Sequence, residues 1–230
     1  MKPRDPNEPG RAASSLELFF DLVFVVAVSI SAVQLHHALT EGHVLEGVLS
    51  YAAVFFSIWW AWMNFTWFAT SFDTDDWLYR VLTIVQMSGV LVLAAGVHSA
   101  FTESDFRIVT AGYVLMRLAM VAQWLRASRG AGPARPATLV YAVGIAFVQV
   151  LWVAALLLPG EVFRIVIVAL FLAELAVPVI AESRGATPRN VHHITERYGL
   201  FTLILLGESL LASANAIIHA VQDAEALAPL

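Results

Sequence analysis

The chain has 230 residues, 59% of them hydrophobic and 13% charged, with a mean hydropathy of +0.74 and a formal net charge of -5. Soluble domains lie nearer roughly 45–50% apolar and about 25% charged, so this composition points to a bilayer. There is no cysteine, which excludes disulfides and thiolate metal sites, and the basic residues are scattered, which argues against a nucleic-acid partner.

Residues 1–15, MKPRDPNEPGRAASS, are polar and proline-rich and lack the apolar core of a cleavable signal; they predict a disordered cytoplasmic tail. Seven apolar segments follow, at 16–39, 45–70, 80–100, 106–127, 139–158, 163–181 and 194–220. Each is close to the roughly 20 residues a helix needs to cross about 30 Å of hydrocarbon. None alternates with the period of two that a barrel strand requires. The expected fold is therefore all-α, a polytopic transmembrane bundle of about seven helices over 16–220, with 221–230 as an external C-terminal tail. The bilayer is then an obligatory partner. Sequence alone leaves a homo-oligomer open.

Loop charge orients the bundle. With the N-terminus in the cytoplasm, Lys2, Arg4, Arg11, Arg80, Arg126, Arg129, Arg135, Arg184 and Arg189 lie inside, against Arg107 and Arg164 outside. Trp67 and Trp77 suit an interfacial belt. Trp59, Trp60 and Trp62 lie deeper, where they serve helix packing or the wall of a pore.

Ionisable groups inside a span cost about 2.5–3.5 kcal/mol each and as a rule face the bundle interior with partners. The candidates here are Glu17, Asp21, Arg117, Glu174, Glu196, Arg197 and Glu208. Glu17 and Asp21 are four residues apart and share a helix face, so a cation is expected opposite them. At about 100° per residue, Arg197, Glu208 and Asn215 fall within about 20° of one another and form a polar stripe. Arg197 lies at the depth of Asp21. Arg117, halfway along its helix and one turn after Tyr113, is at the depth of Glu208 or Glu174. Pro178 follows Glu174 by one turn and frees its backbone carbonyl.

Other features carry less. His36, His37, His43, His98 and His219 map outside and His192 and His193 inside; the outer group allows a metal or pH-sensing role, but interfacial histidine is the plainer reading. The loop acids Asp73, Asp75 and Asp76 allow Mg²⁺ binding or a helix cap. No phosphate loop, HExxH or GxSxG motif is present. The sole lysine, Lys2, lies in the tail, which excludes a covalent retinal protein of the usual kind. No cofactor, no metal and no catalytic residue is expected.

Three stretches carry a family resemblance. LELFFDLVFVVAVSISAVQLHHAL, WWAWMNFTWFATSFDTDDWLYRVLTIVQMSGVLVLAAGV and HHITERYGLFTLILLGESLLA resemble, in order, segments of the low-temperature-requirement A (LtrA) family of bacterial membrane proteins. The matching positions are Glu17, Phe20, Asp21, Trp60, Asp73, Glu196, Arg197, Gly199 and Glu208. The resemblance implies a polytopic inner-membrane protein without an established reaction. Family members typically continue with further helices after the GE segment, whereas this sequence stops at Leu230; a short member and one part of a longer chain are both open. FFDLVF is also similar to the FSD-type motif of a lysosomal and bacterial potassium-channel family, with Phe20 in place of its serine.

These readings converge on an ion or proton-coupled transporter or channel. Its pathway is expected to run through Glu17, Asp21, Arg117, Glu174, Glu196, Arg197, Glu208 and Asn215. A non-transporting scaffold or stress-associated accessory protein is the alternative, in which the buried pairs only fix packing. A membrane enzyme acting on lipid through the acidic loop is a distant third.

Overall fold

A computed structural model describes the backbone of residues 1–227, and the side chains of these except at 164, 212, 215–217 and 219–227. It is all-helical over that range. The helices are α1 (Ser15–Thr40), α2 (Val44–Phe72), α3 (Trp77–Ala95), α4 (Val97–Thr102), α5 (Arg107–Ser128), α6 (Arg135–Ala155), α7 (Gly160–Arg184) and α8 (Val191–Leu227). Six of these, α1, α2, α3, α5, α6 and α7, are long and apolar enough to cross a membrane. With α8 they make the expected seven long helices; the short α4 splits from the end of the third predicted span at Gly96. The last helix continues past 220 into the stretch expected to be a tail.

Helices α3, α5, α6 and α7 pack in sequence order, α1 lies against α2 and α3, and α8 leans on α1 and α2. The tightest approach is between α3 and α5. A Cβ on Gly112 would lie 2.3 Å from the Leu93 nitrogen and 2.5 Å from the Gly89 carbonyl oxygen, so only glycine permits this spacing. Apolar side chains cover the outside, with Val26 and Val33 on α1, Val143 and Phe147 on α6 and Leu172 and Val179 on α7 all exposed. Polar and charged groups gather inside. Gln86 of α3 donates to Gln123 of α5 at 2.9 Å, and Gln123 reaches Thr83 at 3.4 Å. Lipid offers no hydrogen bonds, so this inside-out arrangement is the one a bilayer selects.

Residues 1–14 differ from the disordered tail expected. Arg11 is buried and its guanidinium donates to the Thr70 and Ala69 carbonyls, the latter at 2.7 Å. These are last-turn carbonyls of α2; Ala69 O also accepts the Asp73 amide at 3.1 Å, and Arg11 acts as an additional side-chain cap on this helix end. The Arg4 amide donates to Ser71 O at 2.9 Å, and Asn190 Nδ2 donates to Glu8 O at 3.0 Å. The segment thus straps the basic end of the bundle. Its composition gave no sign of this, because the partners are backbone groups of distant helix ends.

Candidate ion-pair sites

The first buried centre forms at the basic end, where α1, α2 and α8 meet. Ser14 and Glu17 make a capping box that starts α1: Glu17 N donates to Ser14 Oγ at 3.3 Å, and Ser14 N donates to Glu17 Oε2 at 2.8 Å. This fixes the Glu17 carboxylate so that its other oxygen accepts from Arg197 Nη1 at 2.9 Å. One turn later Asp21 accepts Arg197 Nε at 3.1 Å and Nη2 on its second oxygen, a two-pronged pair. Trp62 of α2 donates its indole N–H to Asp21 at 2.6 Å. His193, one turn before Arg197, sits between Thr70 Oγ1 at 3.1 Å and Glu17 Oε1 at 3.3 Å. Glu17, Asp21, His193 and Arg197 are each at most 1% exposed. The expected cation opposite the two acids is therefore Arg197, with its guanidinium also 6.0 Å from the Trp62 and Phe65 rings.

The second centre lies halfway along the bundle, between α2, α5, α6 and α7. Arg117 Nη2 donates to Glu174 Oε2 at 2.7 Å. Trp60 donates to the same oxygen at 3.2 Å, and Gln149 donates to Oε1 at 2.8 Å. Arg117 is 1% exposed and Glu174 0%. Of the two partners foreseen for Arg117, the structure selects Glu174. Here Trp60 and Trp62, two positions apart, point to opposite sides of α2, one to each centre; the choice between packing and pore wall resolves, for these two, into hydrogen-bond donors to carboxylates.

The two centres differ in how fully they are satisfied. At the first centre every polar atom of Arg197, Glu17 and Asp21 has a partner and only His193 Nε2, 3.3 Å from Glu17, closes no hydrogen bond; at the second, Arg117 Nε and Nη1, Tyr113 Oη and Gln149 Oε1 are all buried without one. A crevice of about 10 Å³ reaches Tyr113 between Ser57, Thr110 and Trp152. A larger surface groove of about 410 Å³, between α5 and α6, is apolar with Arg107 at one end and lies away from both centres.

The remaining predicted residues are not drawn into either centre. Glu196 is exposed on α8. Glu208 is half-buried and continues the inward stripe of His193, Arg197, Phe201 and Ile204, but no described residue pairs with it. The side chain of Asn215 lies outside the described residues. Sequence reasoning missed Arg11, Thr70, Gln149 and Asn190, and did not single out His193 from His192. The S-x-x-E signature at 14–17 was the one readable signal for how Glu17 is held.

The acidic loop does not gather into a cation cradle. Asp76 caps α3 by accepting Tyr79 N at 2.9 Å and pairs with Arg126. Asp75 pairs with Arg80 at 2.8 Å, and Asp73 with Arg4 at 3.4 Å. The Arg126 hydrogen bond holds Asp76 below the usual carboxylate range. Burial and the nearby Glu17 push Asp73 up instead. Among the described residues, no three His, Asp or Glu side chains converge as metal ligands.

Apolar helices long enough to span a bilayer, sheltering buried ion pairs, define a multi-pass membrane protein. The chain belongs to the family described as bacterial low temperature requirement A protein (LtrA), which it matches over residues 12–230. It is also similar to the "Uncharacterized protein RA0937" of Rhizobium meliloti (strain 1021), 29% identical over 218 residues. That match covers 90% of this chain and 52% of the relative, so the chain spans about half that protein's length. No solved structure matches it significantly.

Proposed function

We propose that this LtrA protein moves protons or small ions across the bacterial inner membrane, with Arg117–Glu174 as the working site and the Arg197 cluster as the closure at the basic end. The observation that carries the reading is the unsatisfied state of the central pair. A buried pair kept only for packing gains by using up its donors, because each unmet buried group costs about 1–3 kcal/mol. Arg117 leaves Nε and Nη1 unpartnered beside the Tyr113 hydroxyl. Groups in that state are poised to take up a migrating species. Glu17, Asp21 and Arg197, fully satisfied and strapped by the N-terminal segment, suit a gate that opens only when one carboxylate is protonated or the strap lifts. Glu208 would extend the path along α8, on the same inward face as Arg197.

The scaffold reading rests on the completeness of the Arg197 cluster, which is what a packing role requires. Purified protein in liposomes, scanned for proton and potassium flux, separates the two. Transport predicts flux in one scan, reduced by Glu208→Gln with the fold intact. A scaffold gives flux in neither, and Glu208→Gln then changes only the melting temperature.

A further inference from the structure

We propose that the Arg117 centre is a binding site for one small monovalent anion of halide size, taken up together with a proton on Glu174. The inference deepens the transport reading by naming what the central site holds, but the binding itself does not require that transport occurs.

The donor count favours an anion. Tyr113 and Arg117 are one turn apart on α5 and share a face. Arginine carries five N–H groups. Only Nη2 of Arg117 is engaged, with Glu174 Oε2 at 2.7 Å. The single N–H of Nε and the pair on Nη1 meet no protein acceptor, and the Tyr113 O–H faces the Glu174 carboxylate without closing a hydrogen bond of good geometry. Glu174 already accepts three donors, Arg117 Nη2 and Trp60 on Oε2 and Gln149 on Oε1, so about one acceptor site remains and it cannot absorb all of them. Against this surplus stands one unmet acceptor, Gln149 Oε1. A cation would find the balance reversed.

Size and access narrow the class. The crevice that ends at Tyr113 holds about 10 Å³, between Ser57, Thr110 and Trp152. That is room for about one water-sized species at the Tyr113 end of the site, so this route of entry favours a small ion. It approaches from the end of α5 that carries Phe106, opposite the Arg197 cluster.

Charge balance then requires the proton. Arg117 and Glu174 together are neutral, and a lone anion added at this depth would leave an uncompensated charge in a low dielectric. The groups facing Glu174 are Arg117 and Tyr113 from α5, Trp60 from α2 and Gln149 from α6. Arginine does not release its proton in proteins. Glu174 is therefore the group that accepts one, freeing Nη2 to turn to the anion. The occupied site, Arg⁺ with X⁻ and neutral Glu174, has the net charge of the empty one.

The test is calorimetric titration of the detergent-solubilised protein with sodium bromide, against sodium gluconate at equal ionic strength, from pH 8 to pH 5. Bromide binding is expected to tighten about tenfold for each unit fall in pH while Glu174 is ionised in the empty protein. Glu174→Gln, which carries the neutral form permanently, binds bromide at pH 8 and loses the pH slope. Tyr113→Phe weakens binding several-fold in both backgrounds. Bromide behaving like gluconate in both the parent and Glu174→Gln at every pH would mean hydration only and would overturn the proposal, as would an unchanged pH slope in Glu174→Gln. Bromide binding without any flux sinks the transport reading alone; proton flux indifferent to halide, with no bromide binding, sinks this proposal alone.

Discussion

Replacing Arg197 with methionine removes the cation from the first centre and keeps most of the side-chain volume. Asp21, 0% exposed, then retains only the Trp62 N–H, and Glu17, 1% exposed, retains the Ser14 amide and His193. Breaking a buried ion pair by removing one partner typically costs about 3–5 kcal/mol. Protonation limits the damage: neutralising an ordinary carboxyl at pH 7 costs about 4 kcal/mol, at about 1.4 kcal/mol per pH unit. The loss should therefore fall near the upper end of that range at pH 7 and shrink as the pH drops towards 5, where a proton replaces the arginine at less expense. For a chain of this size about 1 kcal/mol moves the melting temperature by roughly 2–4 °C, so the variant should melt roughly 6–20 °C lower at pH 7. The assay is thermal unfolding in detergent, followed by circular dichroism, at pH 7 and pH 5. Arg197→Met combined with Asp21→Asn should recover part of the loss, because it removes one of the stranded charges. A melting temperature unchanged at pH 7, or a deficit that grows as the pH falls, would refute the reasoning.

Three further substitutions probe separate parts of the account. Trp62→Phe keeps an aromatic ring but removes the only hydrogen bond Asp21 receives from α2, and should lower stability by about 1–3 kcal/mol in the same melting assay. Asp76→Ala removes the α3 cap and the Arg126 partner and should cost about 1 kcal/mol. Because the Asp76 carboxyl is held low by Arg126, its contribution is fully present above about pH 4 and is lost as the pH falls further, so the two melting curves should converge only in that acid range. Gly112→Val drives a Cβ to within 2.3 Å of the α3 backbone and should prevent α3 and α5 from seating, read as loss of the monodisperse peak on size exclusion; Ala111→Val beside it should be tolerated.

Much of this arrangement was legible in the sequence because a bilayer punishes stray charge. Glu17 and Asp21 on one face demanded a cation, and Arg197 was the basic residue at the right depth. Arg117 in mid-span demanded an acid, and its two possible partners were both named. What stayed hidden are contacts that depend on helix rotation and tilt. Gln149 and the indole nitrogens of Trp60 and Trp62 are uncharged, so hydropathy cannot tell a donor aimed at a carboxylate from a packing residue. The N-terminal strap stayed hidden for another reason: Arg11 binds carbonyls at the end of α2, and backbone acceptors leave no mark on composition. Glu208 shows the opposite limit, since its helical phase with Arg197 is right but phase alone supplies no partner.

The most direct measurement is proton flux into liposomes carrying the purified protein, with an acid pulse outside and a pH-sensitive dye inside, comparing the parent with Glu174→Gln. The account predicts dye acidification by the parent and a loss of at least about tenfold in the variant, compared at a temperature where both are folded, because Gln leaves the Arg117 charge unpaired and lowers the melting temperature. A variant that acidifies the lumen as fast as the parent, at equal content of folded protein, would contradict it.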